Sequence, residues 1–281
     1  MEQLLKLSPT TSSQRFTCRL SKKHLTKTKI LKNKSCFLKN KAGRNNQGRI
    51  TVARKGGGHK KRYRIISYTR SSLSGIVESI EYDPYRSTNI ARIFSEQTNE
   101  HHYILSPNGL SVGHFIQSEL NTSEPNYKIG NLFYLKDLPL GVFVHNVFFP
   151  QKKTAIARAA GCSAQLISKD NKYARLRLSS GEDRLFPLAS EVTLGILSNK
   201  LHKHIVIGKA GRSRWLNRRP TVRGVAMNPI DHPHGGGQGK TSGGHSTSVS
   251  PWGKPTKQIK KKKQLNFSKN RKFVRLKEER I

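Results

Sequence analysis

The apolar residues between positions 63 and 199 come in short runs separated by Gly, Pro, Asn and Asp, and no helical period extends beyond about ten residues. In residues 173–178, apolar side chains at the even positions alternate with arginines at 175 and 177, the period-two pattern of a half-buried strand. Many short strands joined by turns predict small barrels or sandwiches. The predicted strands cover residues 63–68, 75–82, 90–95, 102–105, 132–134, 142–149, 164–168, 173–178 and 184–187.

A polar stretch at residues 121–130, NTSEPNYKIG, divides these strands into two β blocks of about 60 to 70 residues each. After Gly208 the strand pattern ends, and KAGRSRWLNRRPTVRG at 209–224 predicts a short basic helical turn or loop. We interpret Trp215 in this segment as an anchor against the β blocks, with a platform for a stacked base as the alternative.

Residues 221–240, TVRGVAMNPIDHPHGGGQGK, contain almost no side chains able to build a core. Four glycines at 235, 236, 237 and 239 allow positive φ and close backbone approach, while Pro229 and Pro233 exclude a regular helix or central strand. This pattern predicts a contact loop whose donor-rich side chains suit an anionic partner. Those side chains are Arg223, Asn228, Asp231, His232, His234, Gln238 and Lys240.

Charge is distributed very unevenly along the 281 residues, whose net charge is +37. Residues 3–77 contain 20 Lys and Arg and no acid, residues 192–277 contain 20 and only Asp231, and residues 78–191 contain 12 of each sign. A neutral body therefore carries two basic arms, whose self-repulsion is relieved when a polyanion supplies counter-charge and releases counterions. We expect a nucleic acid and not a membrane, because neither arm has the apolar run of roughly 20 residues that a span requires.

Residues 1–48 are basic and rich in Ser, Thr and Asn, a composition that a mitochondrial transit peptide shares. We favour a structural RNA-binding arm, because the same composition continues to Arg70 without a break. Cys18, Cys36 and Cys162 are isolated and lack C-x-x-C spacing, so neither a disulfide framework nor a cysteine zinc site is indicated, and a reducing compartment fits best.

The segment HGGGQGKT at 234–241 differs by one residue from a phosphate-binding P-loop, which requires glycine where His234 stands. The motif also needs a preceding strand and a following helix, and neither flanking sequence permits one. His232 and His234, with Asp231 as a third ligand, could instead form a metal-dependent hydrolase site, but the segment offers no further ligand or general base. We predict no enzyme, no metal and no cofactor, and we expect these histidines to donate to phosphate or a 2′-hydroxyl.

Residues 43–61 repeat the chemistry of the central loop, with asparagines suited to tight turns and three consecutive glycines at 56–58. A flexible linker is the alternative, but a linker has no use for so many Arg and Lys side chains. Arginine offers a planar fork for phosphate and stacks on bases. The predicted RNA-binding residues are Arg44, Asn45, Asn46, Arg49, Lys60, Arg62 and Arg64 in the first arm, and Arg212, Arg214, Arg218, Arg219, Arg223, His232, His234 and Lys240 in the second.

Several long motifs occur in one order: GRNNQGRIT at 43–51, GGGHKKRYRI at 56–65, EYDPYRSTNIA at 81–91, GKAGRSRW at 208–215, and TVRGVAMNPIDHPHGGGQGK at 221–240 followed by SPWGKPTK at 250–257. From about residue 40 to 257 the sequence resembles the large-ribosomal-subunit protein two family of the bacterial and organellar type. Residues 1–40 resemble it only loosely, HSTSVSP at 245–251 is spaced differently from many members, and the tail keeps the basic character with little identity.

This resemblance implies a mainly β fold in which an OB-like barrel at 63–126 precedes an SH3-like barrel at 127–208. Basic irregular extensions at 1–62 and 209–281 would flank them. It implies a structural constituent of the large ribosomal subunit that binds large-subunit rRNA, supports subunit association and buttresses RNA near the peptidyl-transferase centre. The family's DHPHGGG loop lies near that centre, and we assign His232 and His234 to RNA architecture because the centre is made of RNA.

The implied partners are large-subunit rRNA, neighbouring ribosomal proteins and small-subunit contacts at the subunit interface. The competing functions are a phosphate- or metal-dependent hydrolase and a general nucleic-acid chaperone outside the ribosome. The family-like region starts with little sequence ahead of it, so we expect an organelle-encoded protein of the mitochondrial ribosome, with a plastid or the bacterial cytoplasm as alternatives.

Overall fold

The computed structural model describes residues 3–70, 73–118, 127–149, 154–239 and 241–256, and within these ranges the chain is mainly β. The described residues form sixteen strands: β1 Leu4–Lys6, β2 Cys18–Leu20, β3 Ser35–Phe37, β4 Arg62–Arg64, β5 Gly75–Glu81, β6 Ile90–Ser95, β7 Glu100–Leu105, β8 Phe115–Ile116, β9 Leu132–Tyr134, β10 Phe143–His145, β11 Val147–Phe149, β12 Thr154–Ile156, β13 Ala164–Lys169, β14 Tyr173–Leu178, β15 Asp183–Pro187 and β16 Glu191–Leu194. The helical elements are α1 Ala210–Trp215 and short 3₁₀ turns at Leu135–Asp137, Lys200–His204 and Gly224–Ala226.

The first β block is an antiparallel sheet of order β7-β6-β5-β8. Its register shifts between Val77 and Ser79, a bulge that bends β5 and curls the sheet. The alternating side chains of β5 and β6 bury Val77 and Ile93 against Ile116. A second apolar cluster packs Tyr103 of this block against Leu197, which follows β16.

The second block is a six-stranded antiparallel sheet of order β15-β14-β13-β10-β16-β9. Strand β14 buries Ala174 and Leu176 and exposes Arg175 and Arg177, as the period-two pattern predicts. A register shift between Leu166 and Ser168 bends β13. The predicted mainly β class, with OB-like and SH3-like blocks, is confirmed.

Some predicted elements differ from the structure. The single strand predicted at 142–149 is wrong, because Asn146 adopts a positive φ of 50° and divides it into β10 and β11. Strand β10 joins the six-stranded sheet, whereas β11 pairs with β12. The side chain of Asn146 donates a hydrogen bond to the Tyr68 carbonyl at 3.0 Å. This contact with a distant part of the chain stabilises the break between the two strands. Strands β1, β2, β3, β8, β12 and β16 were not predicted from the sequence.

A buried polar cluster joins the two blocks. Arg70 Nη2 donates to the Gly130 carbonyl at 2.6 Å and to Thr193 Oγ1 at 3.1 Å. Burial lowers the pKa of Arg70 to about 10, and the nearby Glu191 opposes the shift. Burial also lowers the pKa of His145 to about 4, although the hydrogen bond to the Gly195 carbonyl at 2.9 Å favours the protonated ring. Because this pKa lies well below neutral pH, the imidazole is uncharged there. Its Nδ1 carries the proton, because a carbonyl oxygen can only accept.

The chain divides into two compact units, one up to Arg218 and one from Arg219 onward. The four-part division predicted at residues 62, 126 and 208 stays a prediction. After Gly208, the described residues form no further strand, and an isolated bridge pairs Val249 with Pro255. No helix within the described ranges combines the length and the apolar run that crossing a bilayer requires.

Candidate nucleic-acid interface

Residues 43–52 form a tight turn that places two arginines on its surface. The Asn45 amide donates to the Arg49 carbonyl at 3.0 Å, and Asn45 Oδ1 accepts from the Arg49 amide at 2.9 Å. Gly43 has a φ of 73°, and a Cβ there would lie 2.2 Å from the Val52 carbonyl oxygen. The turn therefore requires glycine and asparagine for its backbone, and it leaves Arg44 and Arg49 exposed to a partner.

The glycine-rich segment 56–59 packs against the end of α1. The Gly56 amide donates to the Asn217 carbonyl at 3.3 Å, and the His59 amide donates to the Trp215 carbonyl at 3.1 Å. A Cβ on Gly58 would lie 2.8 Å from the Asn217 Cβ and 2.9 Å from its Cα, so only glycine permits this approach. The first arm and α1 thus form one continuous basic surface, which their separation along the chain hides.

Strand β4 places its two arginines in different environments. Arg62 is exposed, whereas Arg64 is only 7% exposed and its Nη1 donates to the Arg62 carbonyl at 3.1 Å. The Arg64 carbonyl accepts from Arg86 Nη1 at 3.2 Å, and Arg86 also donates to the Tyr63 hydroxyl and pairs with Asp83. This placement favours a structural role for Arg64 over direct contact with RNA.

Positive side chains crowd around α1. Burial lowers the pKa of Lys22, and the charges of Arg212 and Arg19 lower it further. Arg212 Nη1 is buried without a hydrogen-bond partner among the described residues. Like charges this close to one another raise the local positive potential, which attracts an anion.

The second unit contains the Gly/His loop, residues 223–239, which is packed on itself through backbone contacts. The His232 amide donates to the Asn228 carbonyl at 3.3 Å, and the Gly236 amide donates to the Met227 carbonyl at 3.1 Å. A Cβ on Gly235 would lie 2.3 Å from the Asn228 carbonyl oxygen. Glycine is therefore needed here for close packing of the loop, and not for the cradle of a P-loop.

The same packing sets which ring nitrogen of two histidines accepts a hydrogen bond. The His234 amide donates to His232 Nδ1 at 3.0 Å, and the Val249 amide donates to His234 Nε2 at 3.2 Å. Each accepting nitrogen must be unprotonated, so neutral His232 carries its proton on Nε2 and neutral His234 on Nδ1. Each ring keeps one N–H that can donate to a phosphate oxygen or a 2′-hydroxyl.

The histidine rings also contact one another. The centroids of His232 and His234 lie 5.0 Å apart, and those of His234 and His245 lie 5.6 Å apart. His232 is only 8% exposed, which places it inside the loop. In the described part of the chain, no group of three or more His, Cys, Asp or Glu side chains has an arrangement that could hold a metal ion.

The structure brings some predicted residues together and leaves others separate. The first arm and α1 share a surface that includes Lys60, Arg62 and Arg214, and Arg218 forms a bridge with Lys55. Arg219, Arg223, His232 and His234 belong to the second unit. Lys240 lies outside the described residues.

Sequence reasoning missed several residues of this surface. Lys22 Nζ lies 3.9 Å from the ring centroid of Tyr82, and Lys209 Nζ lies 4.5 Å from that of Trp215. The interpretation of Trp215 as an anchor is wrong, because its side chain is 54% exposed. Lys22 and Tyr82 lie about 60 residues apart in sequence, so only the fold reveals that they are neighbours.

Comparison with known proteins gives the family. Residues 31–118 match the model "Ribosomal Proteins L2, RNA binding N-terminal domain", and residues 128–253 match "Ribosomal Proteins L2, C-terminal domain". Large ribosomal subunit protein uL2m of Reclinomonas americana is 51% identical over 258 residues, covering 90% of this chain and 91% of that protein.

Two bacterial relatives are similar to the same extent. Large ribosomal subunit protein uL2 of Wolbachia sp. subsp. Drosophila simulans is 49% identical over 263 residues, covering 93% of this chain and 94% of the relative. The uL2 protein of Rickettsia massiliae is 49% identical over 269 residues, covering 95% and 97% respectively. Since both family models match and the similarity spans nearly the whole of each relative, the chain belongs to the ribosomal protein L2 family.

Proposed function

We propose that this chain is a structural constituent of the large ribosomal subunit and binds large-subunit rRNA. The family model names an RNA-binding domain, and the relatives are named as large-subunit proteins. Membership of this structural family also confirms the prediction that the chain is not an enzyme. The observation that carries the proposal is that, in the described ranges, none of the predicted RNA-binding arginines and lysines forms an ion pair.

Most of these cations are exposed, and we propose that they contact phosphate. In the first arm they are Arg44, Arg49, Lys60 and Arg62, and in the second Arg214, Arg218, Arg219 and Arg223. Asn45 and Asn46 shape the turn that presents the first pair. Folded RNA is recognised mostly through its shape, its phosphates and its 2′-hydroxyls, which suits a surface dominated by donors.

The finer assignments follow from the Gly/His loop and the family. We propose that the chain supports association of the two ribosomal subunits and that the Gly/His loop contacts RNA near the peptidyl-transferase centre. There half-buried His234 donates to RNA, and buried His232 holds the His234 backbone in place. Neighbouring ribosomal proteins and small-subunit contacts complete its partners. We place it in the mitochondrial ribosome; the bacterial cytoplasm is the alternative, because similar relatives occur in both settings.

Binding of the full chain to fragments of large-subunit rRNA, and to an unrelated structured RNA of equal length, tests this function across a salt series. If charge alone governs binding, both affinities should fall together as the salt concentration rises. Each neutralised phosphate contributes about 0.7 to 0.9 to the slope of log affinity against log salt concentration. We expect one rRNA fragment to keep its advantage at high salt. Equal binding to every RNA at every salt concentration would favour the general chaperone instead.

Two matched arginine variants sharpen the measurement. Arg223→Ala removes an exposed cation from the Gly/His loop, and Arg175→Ala removes one from the exposed face of β14 in the neutral body. We expect Arg223→Ala to reduce the slope of log affinity against log salt concentration by about 0.7 to 0.9, the contribution of one phosphate. Arg175→Ala should leave this slope unchanged. Equal effects of the two substitutions would contradict the assignment of RNA contacts to the arms.

A further inference from the structure

A groove of about 540 Å³ lies where the first arm meets α1 and β5. Apolar and aromatic surface from Trp215, Tyr82 and Pro84 lines it, together with His59, Lys60 and Arg62. Its volume falls within the range of roughly 300 to 1,000 Å³ typical of small-ligand sites. Its lining residues carry no acidic side chain.

One wall of the groove is held in place by backbone contacts. The hydrogen bond from the His59 amide to the Trp215 carbonyl and the close approach of Gly58 to Asn217 fix the indole-bearing end of α1 against the arm. The opposite side carries a second link, in which Lys61 Nζ donates to the Pro84 carbonyl at 3.4 Å. The groove therefore needs no large rearrangement to receive an occupant.

Two aromatic side chains in the groove remain exposed, although apolar surface of this kind is normally buried. Trp215 is 54% exposed and Tyr82 is 48% exposed. Each ring has a lysine over it, Lys209 for the indole and Lys22 for the phenol. Exposed aromatic surface between cations is the combination that single-stranded nucleic acids recognise, with bases stacking on the rings and phosphates meeting the charges.

We propose that this groove receives one unpaired base of the rRNA, stacked on Trp215, while Lys60 and Arg62 hold the flanking phosphates. The proposal rests on the proposed function and names the RNA element that this part of the surface recognises. A base inside a duplex cannot reach a recessed ring, so the occupant comes from a loop, a bulge or a strand end. An acidic peptide would satisfy the cations but would leave the indole without a flat partner.

Tryptophan fluorescence of the full chain tests the proposal. The chain has two tryptophans, and Trp252 is 83% exposed in the second unit, so Trp252→Phe leaves Trp215 as the only indole. This variant is titrated with a large-subunit rRNA fragment, with single-stranded decauridylate and with a decaglutamate peptide. We expect both RNAs to quench Trp215, and the peptide to leave the emission nearly unchanged.

Substitution of Trp215 measures how much the stacking ring contributes to the affinity for RNA. Trp215→Leu is expected to weaken binding of the rRNA fragment by about tenfold, the order of effect expected for loss of one stacked base. Tyr173→Leu, which also removes an exposed aromatic ring but from β14 in the neutral body, is the matched control and should not change the affinity. Trp215→Tyr keeps an aromatic face and should restore most of the loss, which separates stacking from any fault in folding.

The outcomes distinguish failure of the groove from failure of the ribosomal role. If the rRNA fragment binds preferentially without quenching Trp215, the groove proposal is overturned while the proposed function stands. If all RNAs bind alike but decauridylate still quenches, the groove stands and the ribosomal preference fails. Quenching by decaglutamate as strong as that by RNA, or equal losses in the Trp215 and Tyr173 variants, would also overturn base stacking.

Discussion

The two β blocks and the basic arms use apolar side chains in opposite ways. Every buried apolar side chain in the described ranges lies between Ile66 and Leu197, whereas the flanking segments keep Phe16, Ile230 and Trp252 largely in solvent. Because burying apolar surface is the main favourable contribution to folding, the blocks stabilise themselves and the arms gain little from their own packing.

The arms obtain their shape from local backbone contacts instead. In the first arm, the turn at 43–52 closes through hydrogen bonds across Asn45 and Arg49. In the second unit, the Gly/His loop closes through contacts that only glycine permits. The sequence therefore builds a core in one region and a presented surface in the other.

The largest effect is expected in the core of the second block. Leu176 is fully buried, so Leu176→Ala should lower the free energy of unfolding by about 2 to 5 kcal/mol through lost transfer energy and a residual cavity. Ile230→Ala, on a side chain that is 93% exposed, should change it by less than about 0.5 kcal/mol. Urea denaturation measures both, and similar losses would break the distinction between body and arms.

The buried cluster between the blocks predicts a pH dependence that the arms do not share. His145 has its pKa lowered from 6.5 to about 4 by burial, with Arg70 adding to the shift. The unfolded chain binds more protons between these values, so stability is present above pH 6.5 and is lost as the pH falls toward 4. The expected loss is about 3 kcal/mol, measured as the free energy of unfolding against pH.

A matched variant isolates this histidine from the carboxylates that titrate nearby. His145→Gln keeps a polar side chain without a titrating ring, so it should flatten the profile between pH 4 and 6.5. Glu191, whose pKa is raised by burial, contributes to both profiles and cancels in the difference. An unchanged profile in the variant would show that His145 is not held neutral by the fold.

Part of the fold could be predicted because alternation and turn residues mark the strands. The bounds of β6, β9 and β14 agree with the prediction, and β5 differs by one residue. Strands β1, β2 and β3 have three residues each in a segment without a period. β1 pairs with β2, which also bridges to Val206 through Cys18, and β3 pairs with β4. No local pattern encodes such pairs.

Composition predicted the general character of the interface but not its geometry. Arg62 and Arg64 share one face in a period-two pattern, yet the structure exposes the first and buries the second. The approach of Gly58 to Asn217 likewise joins residues far apart in sequence. Glycine runs and arginines indicate that contact occurs, whereas which of them meet depends on how the arm returns to α1.

The Gly/His loop offers a test in which a single methyl group should disturb function without disturbing the core. A Cβ on Gly224 would lie 2.4 Å from His232 Nδ1, so Gly224→Ala must displace the ring and the hydrogen bond it accepts from His234. We expect rRNA affinity to fall about tenfold, equivalent to about 1.4 kcal/mol.

Gly211→Ala is the matched control for this substitution. A Cβ on Gly211 meets nothing within 4 Å, and its position inside α1 favours alanine. Filter binding should therefore show little change for this variant, and thermal unfolding of the β blocks should be unaffected in both. A loss of core stability in the Gly224 variant would show that the loop supports the body after all.

The smallest effect concerns the turn of the first arm before RNA is bound. Asn45→Ala removes the acceptor of the Arg49 amide, a loss of about 1 kcal/mol, so exchange of that amide with solvent should become about fivefold faster. Asn46→Ala is the control, because its Oδ1 accepts from Gln47 instead. If the Arg49 amide already exchanges at the unprotected rate in the free chain, the turn forms only on RNA. The first arm would then become ordered only when it binds RNA. The difference in stability between this arm and the β blocks would be larger than the folded structure alone indicates.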